Sequence, residues 1–417
     1  MNAKKHAVLI IRRHAGEIDW ILPLIYKFNK DIELITIFND KNSYQSLVNN
    51  STLFRLWKKK CNKFYIIKKT DRILYKLLYK ILYLLKINKL FNISKIEFFL
   101  IRSLFNFKKF EKQFKIKRNK INIILTAVNN LSSIPHIIKF HSTNSKLIRY
   151  PESTAVYPSA KENKYFYIGK DYRNYYDEFT DFYLLNKNNI NHYFGLNINK
   201  KIKKKIIICK ILRYEKWWLK NLFTNKIKEN GNFNIGVITR APDQDPLNIL
   251  DYTKIILTIM DIANTISGSK VIFKIHPSLL ELKLLKKILI NFNKKKWKIY
   301  NDHTVNLARN TNICISIINS AALDVLAVNK NVIEFYNINK KNRFGNGYLI
   351  YNKNKKKWVS FFQYKKLAYN VQNKQELLLI IKKIKLKNLS MFKNNLLKKI
   401  MSIGLNTNSI NKKIFNS

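Results

Sequence analysis

Val271–Ser278 reads VIFKIHPS, Trp297–Tyr300 reads WKIY, and Asn312–Asn337 reads NICISIINSAALDVLAVNKNVIEFYN. Short apolar runs rich in Ile, Val and Phe alternate with segments of helical spacing. That pattern predicts parallel strands buried on both faces and joined by crossover helices. His276-Pro277 and Asn319-Ser320 each follow a strand, and the carboxyl ends of parallel strands open onto one crevice, so both pairs are expected to face one ligand site. Backbone amides at a helix start and an imidazole suit a phosphate-bearing ligand. The chemistry this suggests is transfer from a nucleotide donor.

The same alternation extends in both directions. FNIGVITRAPDQDP, Phe233–Pro246, opens this βα series, and Asp243 to Pro246 supply a cap and a first turn for a helix that reaches about Ile266 and ends at Ser267-Gly268. Near the start of the chain, HAVLIIR (6–12) reads as a strand and HAGE (14–17) as a turn. A helix follows with Ile18, Ile21, Leu22, Ile25 and Phe28 on one face, and Pro23 is expected to kink or shorten it. IELITIF (32–38), INIILTA (121–127), KLIRYPES (146–153), KYFYIGK (164–170) and DFYLLN (181–186) read as further strands or edges. Residues 54–118 form a strongly basic, apolar stretch of helical spacing. Lys200 to Asn232, with KKIKKK and Gly231, reads as a connection. The expected fold class is α/β, with two facing Rossmann-like doubly wound domains at 1–200 and 233–390, a linker at 201–232 and a tail or helix at 391–417.

The 417 residues exceed what one core usually spans, which agrees with two domains. A formal charge of +54 favours anionic partners, with nucleic acid, an anionic membrane surface and phosphorylated substrates as candidates. Lys, Asn, Ile, Phe and Tyr are also the residues that AT-rich coding over-supplies, so charge alone selects no function. A hydrophobic content of 47% excludes a disordered basic tail. Cys61, Cys209 and Cys314 have no metal or disulfide spacing and read as core residues in a reducing compartment. No long uncharged apolar run occurs, so the expectation is a cytoplasmic protein without a membrane span.

The motifs Lys274-Ile275-His276-Pro277 and Ile318-Asn319-Ser320-Ala321, followed by ALDVLAVN and NVIEFY, resemble the C-terminal half of GT-B glycosyltransferases of bacterial surface polysaccharide synthesis. Sialyltransferases, capsule Kdo transferases and teichoic acid glycerophosphotransferases share this order of motifs. The resemblance covers about a third of the chain. It implies a cytidine or uridine nucleotide donor held by the C-terminal domain, with Lys274, His276 and Pro277 at its phosphate and Asn319 and Ser320 holding the same group. It also implies an acceptor-binding N-terminal domain. Arg12-Arg13-His14-Ala15-Gly16-Glu17-Ile18-Asp19 resembles the start of heptosyltransferases and lipid A Kdo transferases, where a Gly-acid pair supplies the catalytic base. Carried over, Glu17 is that base, with Asp19 and Glu152 in reserve.

Physical chemistry supports several of these assignments independently. His276 can donate a charge-assisted hydrogen bond to a leaving phosphate, with Pro277 fixing the turn that aims it. Arg240, after the strand NIGVIT, offers a fork of donors for a diphosphate. Asp324 can accept from ribose hydroxyls. Each has a plainer alternative: His276 as a strand end, Asn319 and Ser320 as helix caps, Arg240 as surface, and Glu17 and Asp19 as acids favouring a helix start. His136, His141, His192 and His303 have no ligand spacing and read as structural or exposed.

Asp243-Gln244-Asp245 reads as a helix start, not a metal-binding DxD pair. No cofactor and no metal are therefore expected, and protein cations would meet the phosphate charge. The reading is an inverting, metal-independent glycosyltransferase moving a sugar from a nucleotide sugar, CMP-activated among the options, to a glycan or lipid-linked acceptor. It would work in the cytoplasm or peripherally at the inner face of the plasma membrane. A sugar-nucleotide 2-epimerase is the competing enzyme class, but Asn319-Ser320-Ala321 stands where a Ser-Gly-Gly turn is expected. A basic nucleic-acid-binding protein is the non-enzymatic alternative, and no recognition motif for it is visible.

Overall fold

The computed structural model describes residues 5–67, 107–130, 134–151, 178–195, 197–224, 233–242, 247–276, 279–336, 349–352, 357–386 and 402–416. The first domain runs β1 (Lys5–Ile11), α1 (Ala15–Tyr26), β2 (Ile32–Phe38), α2 (Lys41–Val48), α3 (Ser51–Lys58), β3 (Cys61–Ile66), α4 (Phe107–Phe114), β4 (Ile121–Ala127), α5 (Ile134–His141), β5 (Lys146–Tyr150), β6 (Phe182–Leu185), α6 (Ile190–Phe194), α7 (Lys200–Lys205) and β7 (Ile206–Ile208). After α8 (Lys216–Leu222) the second domain runs β8 (Phe233–Ile238), α9 (Ile249–Thr265), β9 (Ser269–Lys274), α10 (Leu279–Leu289), β10 (Trp297–Tyr300), α11 (Thr304–Arg309), β11 (Ile313–Ser316), α12 (Ala322–Ala327) and β12 (Val332–Phe335). A hairpin of β13 (Leu349–Asn352) and β14 (Lys357–Ser360), then α13 (Phe361–Tyr364), β15 (Tyr369–Val371), α14 (Lys374–Lys385) and α15 (Thr407–Asn416) complete the chain.

Both sheets are parallel and doubly wound. The first has the order β3-β2-β1-β4-β5-β6-β7 and the second β10-β9-β8-β11-β12-β15. In each, the winding reverses beside the domain's first strand, between β1 and β4 and between β8 and β11. At such a switch point the loops leaving neighbouring strands diverge to opposite faces and leave a crevice. The apolar strands are buried on both sides, as parallel sheets require. Residues of both domains, from Ile18 and Trp20 to Ile238, Cys314 and Val332, share one core.

Several boundaries differ from those read in the sequence. Helix α1 continues past Pro23 to Tyr26, where Trp20, Ile21, Leu24 and Ile25 bury it on both sides of the proline and offset the one lost amide bond. Ile206–Ile208, expected in the linker, pairs with β6 as the seventh strand of the first sheet. The tail does not leave the body: α15 returns to the first domain, where Phe415 meets Phe28 edge-on and Lys146 Nζ donates to Ile414 O at 2.7 Å. Helix α9 is capped by Asn248, whose side chain accepts from Asp251 N. Asp243–Pro246, KYFYIGK (164–170) and most of the basic stretch, 68–106, lie outside the described residues. The described flanks of that stretch pack inward, with Leu53, Leu56 and Trp57 on one side of the first sheet and Phe110 and Phe114 on the other.

Candidate functional site

Three loops meet at the carboxyl ends of the second sheet. Thr239, following β8, donates from N and from Oγ1 to Lys274 O, both at 3.1 Å, which ties the β8 loop to the β9 loop. Asn319, following β11, donates from Nδ2 to Thr239 O at 2.6 Å and accepts the amide of Ala321 on Oδ1 at 2.9 Å. Arg240 spans the switch point itself, its Nη1 donating to Ile318 O at 3.1 Å. Ile318 sits at φ 42°, a left-handed conformation that a β-branched residue adopts only when its surroundings impose it. Those surroundings are the Arg240 and Asn319 bonds on either side. Strain held in this way is common at ligand clamps.

His276 lies two residues past β9, and Pro277 lies outside the described residues. The His276 amide donates to Glu281 Oε2 at 2.8 Å, and Tyr252 Oη donates to Glu281 Oε1 at 3.1 Å. Glu281 is fully buried in the first turn of α10, and burial pushes its carboxyl up to about 7 against the bonds from Thr239, Tyr252 and His276. The sequence gives no sign of this clamp, because an acid in a first turn is a common feature of helices. Lys274 ends β9 half-buried. Burial lowers its amine below the ordinary lysine range, while Asp302, Glu281 and Asp324 pull the other way. Ser320 is half-exposed at the same rim, and its carbonyl accepts from Leu323 N at 3.1 Å. Neither Asn319 nor Ser320 is the N-cap of α12, which is Ala321. The structure therefore places Arg240, Lys274, His276, Asn319 and Ser320 at the carboxyl ends of three neighbouring strands, β8, β9 and β11.

The first switch point repeats part of this construction. Arg12, just past β1, donates from Nη1 to Asn129 O beyond β4. Glu17, in the first turn of α1, is fully buried and accepts the amides of Arg12 on Oε2 and Arg13 on Oε1, both at 2.9 Å. Its carboxylate closes the turn it was expected to overlook. His14 caps the helix, its Nδ1 accepting Gly16 N at 3.1 Å.

Asp19 and Asp324 point elsewhere, into a buried charge cluster between the domains. Arg213 Nη2 lies 2.6 Å from Asp19 Oδ2 and 2.8 Å from Asp324 Oδ1, and Tyr214 Oη donates to the same Asp324 oxygen at 2.6 Å. His303 Nδ1 accepts Val305 N, which leaves the proton on Nε2 to donate to Asp19 at 3.0 Å. The 3.3 Å approach of Arg213 Nη2 to that nitrogen sets donor against donor and is a packing contact. Burial alone would raise Asp19, but Arg213 and His303 outweigh it and hold its carboxyl below the ordinary range. Asp324 was expected at a ribose; at 2% exposure and bonded to Arg213 and Tyr214, it is an interdomain partner instead. Beside the cluster, Asp302 accepts Thr52 N at 2.8 Å and Thr52 Oγ1 at 2.7 Å, so a second-domain carboxylate caps a first-domain helix. Arg213, His303 and Asp302 carry no local sequence signal, since their partners lie more than a hundred residues away. Glu152 lies outside the described residues.

His136 and the cysteines fit the structural roles read for them. Buried His136 is lowered to about 2 by desolvation and by Arg149, whose Nη2 it meets at 3.0 Å. Cys209 and Cys314 are buried, and Cys61 is half-buried in β3. Among the described residues no helix is long and apolar enough to cross a membrane.

No family model and no curated protein sequence matches this chain. Solved structures do. The chain is similar to S. aureus MnaA in complex with UDP, at 11% identity over 97% of this chain and 92% of that one, with a TM-score of 0.51. It is similar to UDP-GlcNAc 2-epimerase from Neisseria meningitidis bound to UDP-GlcNAc, at 10% identity over 98% of each chain, with a TM-score of 0.52. A further UDP-N-acetylglucosamine 2-epimerase matches at 10% identity over 99% of this chain and 94% of the other, with a TM-score of 0.50. At these identities the likeness is one of fold, and with the two switch-point sheets it establishes a GT-B-like pair of α/β domains spanning the whole chain.

Proposed function

We propose that this protein is an enzyme acting on a nucleotide sugar held at the switch point of the second domain, and that it transfers the sugar with inversion to a glycan or lipid-linked acceptor of a surface polysaccharide. The observation that carries this reading is the placement of Arg240, Lys274 and His276 at the carboxyl ends of the adjacent strands β8 and β9, beside a β11 loop held in a strained conformation. As the sugar leaves, negative charge builds on the diphosphate, and these groups can meet it without a metal. UDP and UDP-GlcNAc in similar folds support a uridine diphosphate donor over a CMP-activated one. Glu17 is proposed as the acceptor base, a role that requires one carboxylate oxygen to exchange its backbone amide for the acceptor hydroxyl.

A sugar-nucleotide 2-epimerase is the second reading, favoured by full-length similarity to the Neisseria enzyme. Asn319-Ser320-Ala321 in place of a Ser-Gly-Gly turn weighs against it. Incubation with UDP-GlcNAc, followed by NMR, separates the two. A transferase releases UDP only when a glycan acceptor is added and leaves the remaining donor unchanged at C2. An epimerase converts the donor to its C2 epimer with no acceptor present. No change under either condition, across a panel of UDP-sugars and acceptors, contradicts both.

A further inference from the structure

The second sheet has two unlike faces. One is turned to the first domain and shares its core. The other is covered by α9, α10 and α14, which pack on it through Ile256, Ile259, Leu285, Leu289, Leu377 and Ile381. These three helices carry a second apolar set that faces out. Leu250 is 81% exposed, Ile290 76%, Leu386 68% and Leu379 54%, with Leu257 and Ile249 also exposed. Half of the exposed large hydrophobic residues among the described ones fall on or at the ends of these helices.

Their spacing groups them with cations. On α9, Leu250, Lys254 and Leu257 follow i, i+4, i+7 and share one stripe. On α10 the corresponding stripe is Lys283, then Lys286 and Lys287, then Ile290 just past the helix. On α14 it is Leu379, Lys382 and Lys383, then Leu386. The acids of the layer are few and engaged. Asp261 pairs with Lys374 at 3.0 Å, Glu376 accepts the Gln372 amide, Asp251 sits in the first turn of its helix, and Glu281 is buried. A solvated lysine face has no need of large exposed aliphatics between its charges. Aliphatics spaced among lysines instead match a surface that lays its cations on anionic headgroups and its apolar side chains just beneath.

We infer that the outer face of α9, α10 and α14 docks the protein on an anionic lipid bilayer. The occupant is identified by charge complementarity together with apolar depth. A nucleic acid would use the lysines and leave the leucines in water, and a second copy of so basic a surface would be repelled. Docking through the face turned away from the first domain leaves the crevice between the domains uncovered. The inference is independent of which sugar nucleotide the enzyme uses.

Flotation of the full chain with phosphatidylcholine vesicles, and with vesicles containing a third phosphatidylglycerol, tests it. Two triple variants accompany the wild type: Lys254→Glu/Lys286→Glu/Lys383→Glu and Leu250→Ser/Ile290→Ser/Leu379→Ser. All six positions are exposed, and an unchanged melting temperature verifies the fold. The wild type is expected to float with anionic vesicles only and to be released as salt shortens the Debye length. Each lysine near the surface is worth about fivefold in partitioning, so the charge variant is expected to lose roughly a hundredfold or more, and the apolar variant to lose binding too. Absence of wild-type flotation on anionic vesicles would overturn the inference. So would flotation of either folded variant at the wild-type level.

Discussion

Arg240 donates to the carbonyl of Ile318 at 3.1 Å, across the switch point of the second sheet. The same bridge exists in the first domain, where Arg12 reaches Asn129 O. In each case an arginine just past the first strand of the domain holds a carbonyl two residues past the strand that follows the reversal. The crevice of a doubly wound sheet is thus spanned twice by a charged fork, and in the second domain that fork lies beside His276, Lys274 and a loop forced to φ 42°.

Asn319→Ala tests whether that loop is held as described. The change removes a donor to Thr239 O and the acceptor of Ala321 N, each net worth about 1 kcal/mol. Urea denaturation is expected to show a loss of about 1–2 kcal/mol, with a weaker affinity for UDP. Unchanged stability would mean the loop is fixed by other contacts.

Arg213→Met leaves Asp19 and Asp324 buried without their cation, and breaking such a cluster typically costs about 3–5 kcal/mol. The pH dependence distinguishes this from simple loss of packing. In the wild type, Asp19 is held below its ordinary 3.8, so its contribution is present above that value and is lost as pH falls through the lower folded-state value. Without Arg213, burial is left to raise it, so the penalty grows as pH rises from about 4. Thermal melts from pH 4 to 8 should diverge between the two proteins. Parallel curves would contradict the assignment.

Much of this fold is legible in the sequence, for a physical reason. VIFK, NICIS and NVIEF carry their apolar residues consecutively instead of in alternation because a parallel strand is buried on both faces, and the loop residues follow at fixed places after them. Ile206–Ile208 is not legible as a strand because three residues after KKIKKK give no period. Arg240, His276 and Asn319 can be placed at strand ends from sequence alone, but their bonds to Ile318, Glu281 and Thr239 depend on loop geometry. Least legible is the domain interface. Asp19 and His303 are 284 residues apart, and Thr52 and Asp302 are 250 apart, so no local pattern links them. Asp324 was expected at a ribose because the first turn of α12 looks open in one dimension.

Glu334 is fully buried on β12, where it accepts from Ser360 Oγ, and burial pushes its carboxyl up to about 7. A carboxyl raised above its unfolded 4.5 favours folding at low pH. That stabilisation is complete below about 4.5 and is gone above about 7. Glu334→Gln should therefore be more stable than wild type at pH 8, by up to about 3 kcal/mol, and nearly equal to it at pH 4.5. Chemical denaturation at both values checks this, and an equal difference at both would contradict it.

Glu17→Gln separates closing the turn from base chemistry. Glutamine has one acceptor oxygen where the carboxylate uses two, so one of the Arg12 and Arg13 amides loses its partner, at about 1–3 kcal/mol of stability. If Glu17 is also the base, turnover falls by about two to four decades while UDP affinity holds within about threefold. A stable variant with near-normal turnover would remove the base role and leave Glu17 as the clamp alone.

The proposed nucleoside diphosphate site lies at the strand ends that carry Arg240, Lys274 and His276. Isothermal titration of UDP into the wild type and into His276→Ala tests it most directly. Saturable binding to the wild type is expected, with an affinity lower by roughly one to two decades in the variant, the worth of one charge-assisted hydrogen bond. Absence of UDP binding to the wild type, or equally tight binding to a folded His276→Ala, would contradict it.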